Sequence, residues 1–77
     1  MSKKQIEDVI RSSIEVYFKD LRGNPPADLH DLLIGIIEKP LLEVTLLHAR
    51  GNQSKASKWL GLNRNTLRKK MARQGML

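Results

Sequence analysis

Ile6, Val9, Ile10, Ile14, Tyr17, Phe18 and Leu21 recur every three or four positions, with acids and bases between them. That spacing puts them on one helix face and predicts a helix from about residue 4 to 21. Arg22-Gly23-Asn24-Pro25-Pro26 stops it, because glycine takes the left-handed conformation past a helix end and proline brings no N–H donor. A second helix is predicted from near Asp28, with Asp28 and Asp31 suited to its N-terminus and its dipole. Its apolar positions Leu29, Leu32, Leu33, Ile36, Ile37, Leu41, Leu42, Val44, Leu46 and Leu47 are too many for one stripe. Such a helix is expected to be covered on several sides. Pro40 removes the N–H that would bond the Ile36 carbonyl, so a kink near residues 36 to 40 is expected, with a break into two helices as the alternative.

Arg50-Gly51 ends this helix, with Gly51 predicted as the left-handed residue beyond it, and Asn52 is expected to cap a third helix over residues 53 to 60. Gly61 stops that helix. Asn63 is predicted to cap a fourth from Arg64 to about Arg73, with Gly75 as its stop. The fold class is therefore all-α, one domain with two helices over residues 1–50 and a helix pair over residues 51–77. The first two helices carry more apolar surface than two short terminal helices can cover. An intertwined homodimer, with both pairs of long helices forming a four-helix core, resolves this.

Length and composition sharpen the picture. A single 77-residue chain buries only about 60% of its unfolded surface, which again calls for a partner chain. The absence of cysteine excludes disulfides, thiolate zinc sites and iron–sulfur clusters, and points to a cytoplasmic chain. Two histidines, His30 and His48, are too few for an ordinary metal site. No stretch has the length and apolarity of a membrane span or signal segment. The formal charge of +6 is unevenly placed: residues 1–47 hold six bases against eight acids, a net −2, while residues 48–77 hold eight bases and no acid.

Two short helices around Gly61-Leu62-Asn63 have the layout of a helix-turn-helix. Ala56 and Ser57 are small where the helices must approach, and Leu60, Leu62, Leu67 and Met71 supply the seam. In such motifs the second helix enters the major groove of duplex DNA with its N-terminal residues toward base edges. Asn63 suits adenine and Arg64 suits guanine, each bidentate pair giving roughly 1–3 kcal/mol of discrimination. Thr66, Arg68, Lys69, Lys70 and Arg73 can reach phosphates, as can Asn52, Ser54 and Lys55 at the start of the third helix.

Arg50-Gly51-Asn52-Gln53-Ser54-Lys55-Ala56-Ser57 and Leu60-Gly61-Leu62-Asn63-Arg64-Asn65-Thr66-Leu67-Arg68-Lys69-Lys70-Met71 closely resemble the C-terminal signature of the Fis family, the factors for inversion stimulation. Tyr17-Phe18 and Glu38-Lys39-Pro40-Leu41-Leu42-Glu43-Val44 resemble that family's first helix and proline-kinked second helix, so the match spans residues 5 to 76. The resemblance implies a bacterial nucleoid-associated transcription regulator. It implies a homodimer whose two recognition helices, closer than one turn of straight DNA, bend the duplex with loose, shape-based specificity. Double-stranded DNA is the implied partner, and RNA polymerase a further candidate. The positions matching the family's DNA contacts are Arg50, Asn52, Ser54, Asn63, Arg64, Thr66, Arg68, Lys69, Lys70 and Arg73. Longer members carry an N-terminal arm that touches a recombinase. This chain starts at its first helix, so stimulation of inversion is not expected. Ser54 stands where threonine is familiar, and Ala72 where a base continues the run.

Other residues carry weaker cases. Trp59 is expected in the core or at a dimer edge, and His30 and His48 on the surface or at an interface. Ser12, Ser13 and Ser57 have no neighbouring base, no phosphate-binding glycine loop occurs, and no enzyme or cofactor is expected. Two other functions compete. The same module ends enhancer-binding activators of the nitrogen-regulatory kind, although Met1-Ser2-Lys3-Lys4 resembles a natural start. A helical interaction module could also direct its basic end at an acidic partner or an anionic membrane, but Leu67 and Met71 are wanted by the domain's own packing.

Overall fold

In the computed structural model, which describes all 77 residues, the chain forms four helices and no strand: α1 Lys3–Asp20, α2 Leu29–His48, α3 Gln53–Leu60 and α4 Arg64–Arg73. Each lies within about two residues of where the apolar spacing and its punctuation put it. At the head of α1, Ser2 and Gln5 form a reciprocal capping box: the Ser2 hydroxyl accepts from Gln5 N–H while Gln5 Oε1 accepts from Ser2 N–H.

Helix α2 runs unbroken through Pro40, so the break into two helices does not occur. Its start corrects one expectation. Asp28 sits at the N-cap but in the left-handed region, φ 50° and ψ 37°, and its carboxylate makes no capping hydrogen bond. A side chain caps when its backbone is extended, which aims the oxygen over the first turn, and the left-handed backbone aims it elsewhere.

The end of α2 corrects a second. Gly51 N–H donates to Leu46 O at 2.9 Å and Arg50 N–H to Leu47 O at 3.1 Å, the paired bonds of a Schellman closure. Arg50, not Gly51, is therefore the left-handed C′ residue, with φ 55°. Gly51 follows with φ 77°, so two successive positive φ angles swing the chain sharply into α3. At Gly61, φ 72°, the same closure recurs, with Leu62 N–H donating to Ser57 O.

The core lies where α2, α3 and α4 meet: Leu42, Ala49, Ala56, Leu67 and Met71 are buried, with Leu46, Leu60 and Met76 packed against them. Ser57 is buried too, and its hydroxyl is satisfied by Ser54 O at 2.8 Å. Small Ala56 and Ser57 let the helix-turn-helix close over Leu67, which is fully withdrawn from water, a burial worth roughly 1.5–3 kcal/mol. The long helices differ. No residue of α1 is buried, and α2 buries only Leu42 within its own chain, so the expected all-round cover of α2 is not supplied by this chain. Accordingly the Cα radius of gyration is 14.9 Å, against about 11–12 Å for a compact chain of this length.

Candidate nucleic-acid interface

The head of each short helix is built by an asparagine. Asn52 Oδ1 accepts from Lys55 N–H at 3.0 Å, and Asn63 Oδ1 from Thr66 N–H at 2.7 Å, both from extended backbone. Each cap leaves the first two helical N–H groups, of Gln53 and Ser54 and of Arg64 and Asn65, without an intrahelical acceptor. These groups and the positive dipole end favour an anion at either helix head.

Along α4, Leu67 and Met71 face inward, and Arg64, Asn65, Arg68, Lys69, Ala72 and Arg73 are exposed. Thr66 and Lys70 lie half-buried on the flank. Arg50, Asn52 and Ser54 are exposed in the turn and first turn leading into α3. Arg68, one turn into α4, donates from Nη1 to Gln53 Oε1 at 3.3 Å and so ties that helix to the head of α3. The ten residues singled out from the sequence are thus brought onto neighbouring turns and one helix, but they are not equally free.

Three of them have intramolecular duties, of which only the Asn63 cap is written in the local sequence. Asn63 was expected both to cap α4 and to offer an amide to adenine; its Oδ1 is engaged by the cap, which leaves Nδ2 as the free donor. Arg68 shares its guanidinium with Gln53. Lys70 is paired with Glu38 of α2, 32 residues away, and is largely withdrawn from the surface. One turn further on, Gln74 Nε2 donates to Gly35 O at 2.9 Å. Spacing gives no hint of the Glu38 and Gln74 contacts, since both cross between elements. Asn65, between Arg64 and Thr66 in the basic stretch, is exposed.

Trp59 is 58% exposed, with Lys55 Nζ 5.8 Å from its ring centroid, so it is not a core residue of this chain. The buried side of α3 belongs to Ala56 and Ser57, and Trp59 falls nearly opposite Ser57 at about 100° per residue. His30 and His48 are exposed, and no group of three or more His, Cys, Asp or Glu is arranged to hold a metal ion. No helix is long and apolar enough to cross a membrane.

Comparison with known proteins places these features in context. The family model described as bacterial regulatory protein, Fis family, matches residues 34–73, which takes in most of α2 and all of α3 and α4. A Fis-like DNA-binding protein of Ralstonia nicotianae is 47% identical over 77 residues, covering the whole of both chains. One of Neisseria meningitidis is 51% identical over 72 residues, 94% of this chain and 91% of the relative. DNA-binding protein Fis of Aliivibrio fischeri is 40% identical over 76 residues, 99% of this chain and 78% of the relative.

Proposed function

The chain belongs to the Fis family of bacterial regulatory proteins, and from that premise we propose that it is a non-enzymatic regulator that binds and bends duplex DNA as a homodimer. The observation that carries the reading is the exposed basic surface of α4. Arg64, Arg68 and Lys69 stand exposed there around a capped helix head, in a 30-residue stretch without one acid. In this reading Arg64 and Arg68 approach base edges, joined by Asn63 through Nδ2. Arg50, Asn52, Ser54, Thr66, Lys69 and Arg73 contact phosphates, which fix register without reading sequence. Lys70 is available to phosphate only to the extent that Glu38 releases it.

Surface area supports the homodimer. One chain exposes 6298 Å², whereas a folded monomer of 8.8 kDa is expected to expose about 4800 Å². The excess of about 1500 Å² per chain, doubled, falls in the range of roughly 2,000–5,000 Å² typical of obligate dimers. It lies on apolar residues of the long helices, among them Val9, Val16, Ile36, Leu41 and Val44. Bending is the finer part of the proposal and rests on the family resemblance, as does a place in the nucleoid.

The deciding experiment is duplex binding across a salt series, with bending read by circular permutation of an A/T-rich site. Each neutralised phosphate contributes about −0.9 to the slope of log K against log salt, so a dimer gives a steep line. Arg64→Ala and Arg68→Ala lose specific binding with helicity intact. A flat salt response refutes DNA binding, and a bound but unbent duplex refutes the bending.

A further inference from the structure

The chain has seven carboxamide side chains, and six are engaged inside the molecule. Gln5 completes the α1 capping box, Asn24 donates to Leu21 O, and Asn52 and Asn63 cap α3 and α4. Gln53 accepts from Arg68, and Gln74 donates to Gly35 O. The seventh, Asn65, is exposed and takes part in no hydrogen bond of the chain.

Its position distinguishes it further. At about 100° per residue, Asn65 lies roughly 160° around α4 from Leu67 and 120° from Met71, the two residues that seat the helix on the core. Lys69, one turn on, is about 160° from both. Asn65 and Lys69 therefore mark the line of α4 that points straight away from the protein body, whereas Arg64 lies only about 60° from Leu67 and reaches outward from the flank. Beyond them on this side Ala72 has the smallest side chain of the helix, which lets a groove wall come close.

We propose that Asn65 is a specificity-determining residue that reads adenine, accepting from N6 through Oδ1 and donating to N7 through Nδ2. The inference rests on the duplex-binding reading above. Bidentate recognition of adenine needs both ends of one amide. Asn63 has already committed its Oδ1 to the Thr66 N–H, so Asn65 is the one amide at the head of α4 with both ends free. Placed in the second helical position, it is also where groove-reading helices direct side chains at base edges.

The test is selection of binding sites from a randomised duplex pool with the wild type and with Asn65→Ala, followed by titration of the selected duplex and its single A·T→G·C replacements over a salt series. For the wild type, one such replacement per half-site weakens binding roughly 10- to 100-fold. For Asn65→Ala, that position becomes indifferent to within about twofold. Preferences elsewhere and the salt slope stay unchanged, because an amide neutralises no phosphate. Alanine is the better helix former, so helicity by circular dichroism is expected to be at least that of the wild type. The proposal is overturned if Asn65→Ala keeps every base preference, or if it loses affinity uniformly on all duplexes, which marks a backbone contact. A wild type that binds no duplex overturns the DNA-binding reading itself and is distinguished by the first titration.

Discussion

Lys70 Nζ lies 2.5 Å from Glu38 Oε1, joining α4 to α2 through two side chains that are 28% and 19% exposed. Together with the Gln74 to Gly35 hydrogen bond one turn further along, it ties the rear of α4 to α2 at two levels. Gln74 is about 180° around α4 from Asn65, so these ties leave the outward line untouched while fixing which way it points. A lysine that composition alone assigns to phosphate thus acts as a brace.

Glu38→Gln is expected to separate these two roles. The amide still offers an oxygen to Lys70 but removes the carboxylate charge, at a cost of about 1–2 kcal/mol, and Tm falls by roughly 4–8 °C for each kcal/mol in a chain of this size. The same change frees Lys70 for phosphate, so the salt slope of duplex binding steepens by up to about one per subunit. Thermal unfolding and salt titration of the one variant check both signs; an unaltered Tm would mean the pair contributes nothing in solution.

Asn63 carries two duties that substitutions can part. Asn63→Ala removes the cap and is expected to cost about 0.5–2 kcal/mol, with fraying of α4. Asn63→Asp keeps an acceptor for Thr66 N–H and adds a charge that suits the helix dipole, so stability is retained. It also deletes Nδ2 and sets an anion beside the phosphates, so duplex affinity drops at least tenfold. Unfolding curves paired with gel shifts distinguish the two variants.

The number and placement of the helices were legible because each boundary is written locally, in Gly23, Pro25, Pro26, Gly51, Asn52, Gly61, Asn63 and Gly75. Choices between adjacent residues were not: Arg50 and Gly51 can both close α2, and only the hydrogen bonds to Leu46 and Leu47 decide. The Ser2-x-x-Gln5 capping box is legible as a motif but lies ahead of the apolar period, which begins at Ile6. Along α4 and the turn into α3, charge marks the basic residues only as a group. It could not tell which side chains the fold keeps for itself, since Lys70–Glu38 and Gln74–Gly35 join residues more than 30 positions apart.

Arg50 in the left-handed region carries a strain of roughly 1–2 kcal/mol that glycine would not. Arg50→Gly is therefore expected to raise Tm by several degrees. If Arg50 contacts phosphate, the variant also binds duplex more weakly and with a salt slope shallower by about one per subunit. A gain in stability with unchanged binding would remove Arg50 from the interface and leave its conformation unexplained by function.

The exposed apolar residues of α2 supply the sharpest check on the dimer. Ile36 is 57% exposed in one chain, and surface substitutions at such a site in a monomer usually change stability by no more than about 0.5 kcal/mol. In the proposed four-helix core the same residue is covered by the partner, and Ile36→Asp buries a charge with no counter-ion, which several kcal/mol of desolvation forbid. Sedimentation equilibrium is then expected to find the wild type dimeric and Ile36→Asp monomeric. The wild type's Tm should rise with protein concentration, because association stabilises the folded state by mass action. Helicity should fall in the variant beyond the loss of one residue, since α1 has no buried residue in its own chain and, in the proposed dimer, takes its cover from the second copy. A monomeric wild type whose Tm ignores concentration would leave the apolar faces of α1 and α2 for a different partner, and a single helix-turn-helix for DNA.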